Sequence, residues 1–174
     1  MTRTNKKVLY SKETIEKRVQ EIAQTLSDDY RGRDVVLICI LKGAFIFLAD
    51  LSRHMAIPHM IDFMRVASYG SGTVSSGKIT VTKDIETDIE GKDVVIVEDI
   101  IDTGITLAFL KNKLQEKTPR SLKICALLDK KARREVEIDA DYVGFSMDEG
   151  FVVGYGLDFD EKFRSLPDIY VIEG

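Results

Sequence analysis

Three apolar runs of strand length constrain the fold of this chain more than any other feature. They are DVVLICIL at 34–41, DVVIV at 93–97 and LKICALL at 122–128. None of them alternates between apolar and polar residues, and such continuity is typical of a strand that is covered on both faces. Strands of this kind occur in parallel sheets that carry helices on both sides. The runs therefore predict an α/β fold with a mostly parallel central sheet flanked by helices.

Helical and shorter strand patterns fill the intervals between these runs. An amphipathic helix is predicted over 11–27 with Ser11 as its cap, and two more helices are predicted over 43–55 and 106–116. In the second helix the inward face is expected to consist of Phe45, Leu48, Ala49 and Ser52. Further strands are predicted at 60–66, 78–82, 142–145 and 169–172. With 174 residues and no linker or repeat, residues 1–174 are expected to form one domain.

Composition argues against several classes of protein. The net charge of −4 disfavours non-specific nucleic-acid binding, which needs a basic face. No apolar run is long enough to span a membrane, and the basic N-terminus has no apolar core of a signal peptide after it. Cys39 and Cys125 lie inside apolar runs and are expected to be buried free thiols, as in a reducing compartment. A cytoplasmic protein with neither membrane nor nucleic acid as partner is expected.

A small, polar, glycine-rich segment, SYGSGTVSSGK, occupies 68–78. Its composition predicts a loop, and Tyr69 within it favours a lid that closes over a ligand and excludes water. Its second part, GTVSSGK, nearly spells a nucleotide-binding P-loop. However, Ile79 stands where that motif needs a hydroxyl, and the β-branched residues that follow favour a strand over a helix. The P-loop interpretation is therefore rejected.

The stretch VVIVEDIIDTGIT at 94–106 is the most informative for function. A strand-like run leads to three acids, Glu98, Asp99 and Asp102, and a Thr-Gly-x-Thr turn at 103–106 then opens a helix. Backbone N–H groups at a helix start attract a phosphate, and carboxylates beside them can hold a cation or accept from sugar hydroxyls. Acids that merely favour the helix dipole would explain one or two carboxylates, but not three directly after a buried strand.

This motif resembles the phosphoribosyl diphosphate signature of the type I phosphoribosyltransferases, most closely in the members that act on hypoxanthine and guanine. Four more segments match in order. LKGA at 41–44 resembles the pyrophosphate loop, SYG at 68–70 the start of the lid, and LLDKK at 127–131 the purine-contacting lysine segment. FVVGYGLD at 151–158, followed by Phe163 and Arg164, is similar to the C-terminal part of the site. The resemblance implies the family fold, in which N- and C-terminal segments form a small hood.

The resemblance also implies an activity, a set of site residues and an assembly. The activity is transfer of the 5-phosphoribosyl group from phosphoribosyl diphosphate to N9 of hypoxanthine or guanine, a Mg²⁺-dependent purine salvage reaction. A homodimer or homotetramer and a cis Leu41–Lys42 peptide are implied as well. The residues implied to bind phosphoribosyl diphosphate are Lys42, Gly43, Ser68, Tyr69, Glu98, Asp99, Asp102, Thr103, Gly104, Ile105, Thr106 and Arg164. Those implied to bind the purine are Lys130, Phe151, Val152 and Asp158, and those implied to bind metal are Glu98, Asp99 and Asp158.

Two of these roles also make chemical sense. Asp102 suits a general base, because the N7 proton of a 6-oxopurine must leave as N9 is glycosylated. Lys130 would donate to the 6-oxo oxygen, although the run DKKARR at 129–134 is by composition a solvated loop. Asp129 stands where the family commonly has an apolar residue, so whether it tethers Lys130 is left open.

Two other functions stay as alternatives. A non-catalytic, nucleotide-sensing regulator could keep this fold, but the complete set of Lys42, Asp102, Lys130, Asp158 and Arg164 counts against it. A pyrimidine phosphoribosyltransferase is disfavoured by Asp102 and Lys130. The preference among hypoxanthine, guanine and xanthine also stays open, because those bases differ at position 2, which backbone groups are expected to read.

Overall fold

The computed structural model describes residues 5–68 and 79–173. The elements, in chain order, are β1 (Asn5–Tyr10), α1 (Lys12–Asp29), β2 (Val35–Leu41), α2 (Phe45–His54), β3 (Met60–Ser68), β4 (Ile79–Lys83), β5 (Asp93–Ile101), α3 (Ile105–Gln115), β6 (Ser121–Lys130), β7 (Tyr142–Met147), β8 (Phe151–Val153) and β9 (Ile169–Glu173). The predicted cap of α1 is confirmed, since the Ser11 side chain accepts from the backbone N–H of Thr14.

The central sheet has the strand order β4-β3-β2-β5-β6-β7, and only β4 runs antiparallel to its neighbour. The three apolar runs form its adjacent middle strands β2, β5 and β6, which confirms the predicted fold class. The chain leaves β2 toward β3 and later returns to place β5 on the other side of β2. Strand order therefore reverses between β2 and β5, and ligands of open parallel sheets bind at the carboxyl ends of strands at such a point.

Helices cover both faces of this sheet. Helices α1 and α2 pack on one face, and α3 packs on the other through Leu107, Leu110 and Leu114. The predicted inward face of α2 is confirmed at Leu48, but Phe45 is 44% exposed and Ala49 is also exposed. Phe47 and Leu51 are buried instead. Two overlapping sets of residues in this apolar segment have helical spacing. The set that packs on the sheet is wholly apolar, and the set that contains Ser52 is not the buried one.

Strands β5 and β6 extend further than their apolar runs. Pairing continues from Glu98 opposite Ala126 to Ile101 opposite Asp129, so β5 ends at Ile101 and not at Val97. The backbone pairing does not require apolar side chains, and for that reason the sequence pattern placed the strand end too early. As a consequence, Glu98 and Asp99 lie within a rigid strand and only Asp102 lies beyond its end.

A second, antiparallel sheet has the order β1-β9-β8. It joins the N-terminal strand to two C-terminal ones and forms the small hood that the family resemblance implies. The sequence pattern did not indicate β1 or β8, because β1 is largely exposed and β8 has only three residues.

Three local expectations can be compared with the structure directly. Cys39 and Cys125 are buried free thiols, as expected, and burial raises the pKa of Cys39 to about 12 and raises that of Cys125 as well. The Leu41–Lys42 peptide is cis. Within the described ranges, no helix has the length and apolar character to cross a membrane.

Candidate active site

A cavity of about 350 Å³ opens at the carboxyl ends of β2 and β5, where strand order reverses. Many of the residues that the sequence singled out line it, together with apolar residues of the strand ends. The lining residues are Ile40, Leu41, Lys42, Gly43, Val66, Ile79, Glu98, Asp99, Ile100, Thr106, Asp158 and Arg164. The structure thus brings together side chains from β2, β5, α3 and the segment after β8.

The loop after β2 lies in close contact with β5 and with the C-terminal segment. A Cβ atom added to Gly43 would lie 1.6 Å from Oδ2 of Asp99. Gly156, with φ +100°, approaches this loop from the other side, since its Cβ would lie 2.1 Å from the main-chain oxygen of Gly43. No residue with a side chain fits at either position without displacing its neighbour, so both glycines allow the walls of the cavity to meet.

Two adjacent carboxyl groups, those of Glu98 and Asp99, occupy the floor of this cavity. Burial raises the pKa of both above ordinary carboxyl values, and the charge of Asp99 raises the pKa of Glu98 further. Among the described residues, no ion pair neutralises Glu98. Uncompensated buried carboxylates are costly, and a bound cation would remove that cost.

The donor set around these carboxyls fits Mg²⁺ in a particular way. In the described ranges no group of three or more His, Cys, Asp or Glu residues is placed to hold a metal ion. Mg²⁺ is usually bound through one or two carboxylates together with substrate phosphates and water. Glu98 and Asp99 therefore suit a Mg²⁺ ion that is shared with a phosphorylated ligand.

Basic side chains on the opposite wall are held by acids of the segment after β8. Arg164 pairs with Asp158 at 3.0 Å and donates to the main-chain oxygen of Gly156 at 2.8 Å. Glu161 pairs with Lys42 at 2.7 Å and with Arg164 at 3.4 Å. Lys42 lowers the pKa of Glu161, with Arg164 as a smaller contribution. The sequence analysis missed Glu161, because nothing in the pattern links it to Lys42, 119 positions away.

The turn from β5 into α3 combines a carboxylate with an open helix start. Helix α3 begins after Gly104, which has φ +84° and provides no side-chain cap. The N–H of Ile105 makes only a long contact of 3.4 Å with Oγ1 of Thr103, so the helix start can accept an anion. The two carboxylate oxygens of Asp102 differ in environment. Oδ2 is 3.3 Å from Nη1 of Arg133, whereas Oδ1 is buried and has no hydrogen-bond partner. A buried acceptor without a protein partner is unusual, and a ligand with an N–H or O–H group could supply the donor.

The expected purine-binding residues lie beyond this turn. Nζ of Lys130 donates to the main-chain oxygen of Gly150 at 3.0 Å. Phe151 is 51% exposed and meets the ring of Phe159 edge to face, with centroids 5.5 Å apart. Val152 is buried. An exposed ring next to a lysine offers a flat apolar surface and a donor, which together suit a planar heterocycle.

The basic run at 129–134 departs from the expected solvated loop. Arg134 is only 14% exposed and pairs with buried Asp129 at 2.5 Å. Asp129 therefore tethers Arg134, with exposed Lys131 at 3.8 Å, and its carboxylate makes no ion pair with Lys130. Composition alone could not show that Arg134 is largely buried while its neighbours are exposed, because a buried and an exposed arginine look alike in sequence.

The predicted lid falls almost wholly outside the described residues. Ser68 ends β3, and its side chain, Tyr69 and the rest of the loop to 78 lie outside the described residues. The roles of Ser68 and Tyr69 therefore stay predictions.

Comparison with known proteins agrees with this geometry. Residues 6–160 match the family model for the phosphoribosyl transferase domain. Hypoxanthine-guanine phosphoribosyltransferase of Streptococcus thermophilus is 47% identical over 168 residues, covering 97% of this chain and 93% of the relative. The enzyme of that name from Bacillus subtilis is 46% identical over 167 residues, covering 96% and 93%. A crystal structure of hypoxanthine phosphoribosyltransferase from Staphylococcus aureus superposes with a TM-score of 0.92 at 43% identity, covering 96% and 91%.

The paired acids and the uncapped helix start lie where strand order reverses in a mostly parallel sheet. Together with these matches, they define a phosphoribosyltransferase, and the chain belongs to that family. Within the family, the relatives named above are hypoxanthine-guanine or hypoxanthine phosphoribosyltransferases, from which the chain differs at roughly half of its positions.

Proposed function

We propose that the protein transfers the 5-phosphoribosyl group from phosphoribosyl diphosphate to N9 of hypoxanthine or guanine and releases pyrophosphate. The observation that carries this proposal is the buried, unpartnered Oδ1 of Asp102, which directly precedes the phosphate-binding turn. A proton acceptor next to a phosphate site is what N9 glycosylation of a 6-oxopurine needs, because the base must lose its N7 proton. The names of the similar proteins support the same substrates.

The donor substrate would lie across the ends of β2 and β5. In this arrangement the backbone N–H groups of 103–106 bind the 5-phosphate, and Glu98 and Asp99 accept from the ribose hydroxyls. Lys42, Gly43 and Arg164 bind the pyrophosphate, where the guanidinium fork of Arg164 can contact two oxygens at once. Charge that develops on the departing pyrophosphate is thereby stabilised.

Mg²⁺, held by Glu98 and Asp99 and approached by Asp158, would supply further positive charge to the pyrophosphate. Asp158 is paired with Arg164, so its contact with the metal would be indirect or would compete with that pair.

The acceptor purine would lie between Phe151 and the phosphoribosyl group. Oδ1 of Asp102 takes the N7 proton, Nζ of Lys130 leaves the Gly150 oxygen to donate to the 6-oxo oxygen, and the main chain of Val152 faces position 2. Ser68 and Tyr69 would belong to a lid that keeps water away from the oxocarbenium-like ribose.

One assay tests the activity and both alternatives. Purified protein is supplied with phosphoribosyl diphosphate, Mg²⁺ and each of hypoxanthine, guanine, xanthine, adenine and uracil. We expect turnover of hypoxanthine or guanine and none of adenine, which has no 6-oxo group for Lys130. Turnover of uracil alone would favour a pyrimidine enzyme, and nucleotide binding without turnover of any base would favour a regulator.

The assembly and the location belong to the same proposal. We expect a homodimer or homotetramer of a single-domain chain, acting in the cytoplasm on small molecules without nucleic acid or membrane as partner. Light scattering of the purified protein measures the subunit number directly. A monomer with full activity would contradict the expected assembly and leave the reaction untouched.

A further inference from the structure

The guanidinium group of Arg134 joins two parts of the site that come from different strands. At the end of β6 it donates to Oδ1 of Asp129 at 2.5 Å and to the main-chain oxygen of Lys130 at 3.4 Å. Its Nε donates to the main-chain oxygen of Asp102 at 3.1 Å, just beyond the end of β5. Nη1 donates to the main-chain oxygen of Ile138. One planar group thus connects the segment of Lys130 to that of Asp102.

Burial distinguishes this connection from the ion pairs on the surface. The side chain of Arg134 is 14% exposed and that of Asp129 is 5% exposed. Withdrawing both charges from water is costly unless their hydrogen-bonding groups find good partners. Arg134 meets this condition because Nε, Nη1 and Nη2 all donate to protein oxygens. A lysine has one nitrogen and cannot reach the same acceptors.

The residues after Arg134 support the same turn. The backbone N–H groups of Glu135 and Val136 donate to the main-chain oxygen of Thr103 at 2.9 and 3.1 Å. A Cβ atom on Gly104 would lie 2.8 Å from Cγ2 of Ile138 and 3.1 Å from Cδ of Arg134. The phosphate-binding turn is therefore packed against the 134–138 segment, and Arg134 is the residue that also reaches β6.

We propose that Arg134, anchored by Asp129, is a positioning residue that fixes Asp102 and the 103–106 turn relative to Lys130. Neither Arg134 nor Asp129 needs to touch the substrates. The inference rests on the function proposed above, in which Asp102 takes a proton from the purine that Lys130 contacts. Since the purine and the phosphoribosyl group must meet within a narrow range of geometry, loosening this bridge lowers kcat more than it weakens substrate binding.

The test compares R134K and D129N with a matched control, R120K. Arg120 also pairs with a buried aspartate, Asp93, at the opposite end of the same two strands, although the side chain of Arg120 is 52% exposed. R120K therefore removes the guanidinium contacts to a buried aspartate and changes no residue of the candidate active site. Two experiments are done on each protein. Hydrogen–deuterium exchange of the 99–108 segment is followed without ligand, and steady-state kinetics give kcat and the KM for phosphoribosyl diphosphate and for hypoxanthine.

R134K and D129N are expected to exchange faster over 102–106 and to lose roughly 10- to 100-fold in kcat, with a smaller rise in the KM for phosphoribosyl diphosphate, because the N–H groups of the turn are loosened but still present. The double variant is expected to be no slower than the slower single variant, because the two residues act as one unit. R120K is expected to lose thermal stability but to keep kcat and the exchange of this segment.

Unchanged exchange over 102–106, a wild-type kcat, or an equal loss of kcat in R120K would each overturn the positioning role. If the wild-type protein turned over neither hypoxanthine nor guanine, the proposed function would fail instead. The exchange of the ligand-free variants would still decide whether Arg134 holds the turn.

Discussion

Nζ of Lys42 lies 2.7 Å from Oε2 of Glu161, so one of the expected pyrophosphate-binding cations is already paired with an acid of the same site. The pair is partly open to solvent, with side chains that are 45% and 64% exposed, and Glu161 also contacts Arg164. Because the pKa of Glu161 is lowered, chiefly by Lys42, the carboxylate stays ionised across the neutral range. Glu161 therefore competes with any anion that approaches Lys42.

E161Q is expected to bind phosphoribosyl diphosphate and pyrophosphate more tightly. The change should be about 2- to 5-fold in KM and in product inhibition, which is the range of exposed ion pairs. The matched control is D160N, which removes the same charge one residue away, where Asp160 pairs only with Lys162 in the described structure. Equal effects of E161Q and D160N would show that overall charge, and not the contact with Lys42, is responsible.

G43A is expected to abolish most of the activity with a small effect on folding. The new methyl group must push the Asp99 carboxylate aside, since it would lie 1.6 Å from Oδ2. The comparison is G32A, where φ is +72° and no atom lies within 4 Å of the new Cβ. Strain at that backbone conformation should cost G32A about 1 kcal/mol of stability and leave activity intact. Measurements of Tm and of turnover should therefore show lost activity with a nearly unchanged Tm in G43A, and a lowered Tm with unchanged activity in G32A.

D102N is expected to lower kcat roughly 100- to 10,000-fold, the usual contribution of a general base. Binding of phosphoribosyl diphosphate should hardly change, because the 103–106 backbone that would bind the phosphate is untouched. Isothermal titration and steady-state kinetics separate these two effects. D139N, which changes an exposed aspartate directly after the 134–138 segment, serves as the control. A wild-type kcat in D102N would remove Asp102 as the base.

E98Q is expected to stabilise the metal-free protein at neutral pH. Since the pKa of Glu98 is higher in the folded than in the unfolded chain, the folded state binds more protons between those two values. The free energy of unfolding therefore falls as the pH rises from the ordinary carboxyl pKa through the raised one, and E98Q removes this loss. A gain on the order of 1 kcal/mol would raise Tm by about 2–4 °C.

Thermal melts of E98Q in chelator-treated buffer, at neutral and at mildly acidic pH, measure this effect. The advantage over the wild type should shrink as the pH falls, because protonation of Glu98 removes the buried charge that the substitution removes. E90Q, at an exposed position, should show no difference at either pH. Added Mg²⁺ should stabilise the wild type more than E98Q, because a ligand that binds only the folded state raises its stability.

The parts of the fold that depend on local pattern were predictable. Burial on both faces makes the middle parts of β2, β5 and β6 apolar, and the α1 stripe with its Ser11 cap follows from helical spacing. The phase of α2 was not predicted correctly, because nearly every position of this helix is apolar and two overlapping stripes both have helical spacing. The end of β5 was not predictable either, since its last residues are held by pairing with β6.

The candidate site, like the fold, has parts that a local sequence pattern predicts and parts that depend on the packing of distant segments. The motif at 94–106 lies in one continuous stretch, so its acids and its turn could be recognised together. The contact between Lys42 and Glu161 and the burial of Arg134 depend on how distant segments pack. No local pattern contains that information, and for this reason the residues that support the predicted site appear only in the structure.

The hood has a consequence for how this enzyme is made on the ribosome. A nascent chain that has emerged as far as β7 contains every strand of the central sheet, including the acids of β5. It still lacks β8, Arg164 and β9, the strand that pairs with both β1 and β8. Strand β1 can therefore pair only after β9 has been synthesised. A chain that ends before Arg164 lacks the wall that Asp158 and Arg164 contribute to the cavity, so incomplete translation products are expected not to turn over phosphoribosyl diphosphate.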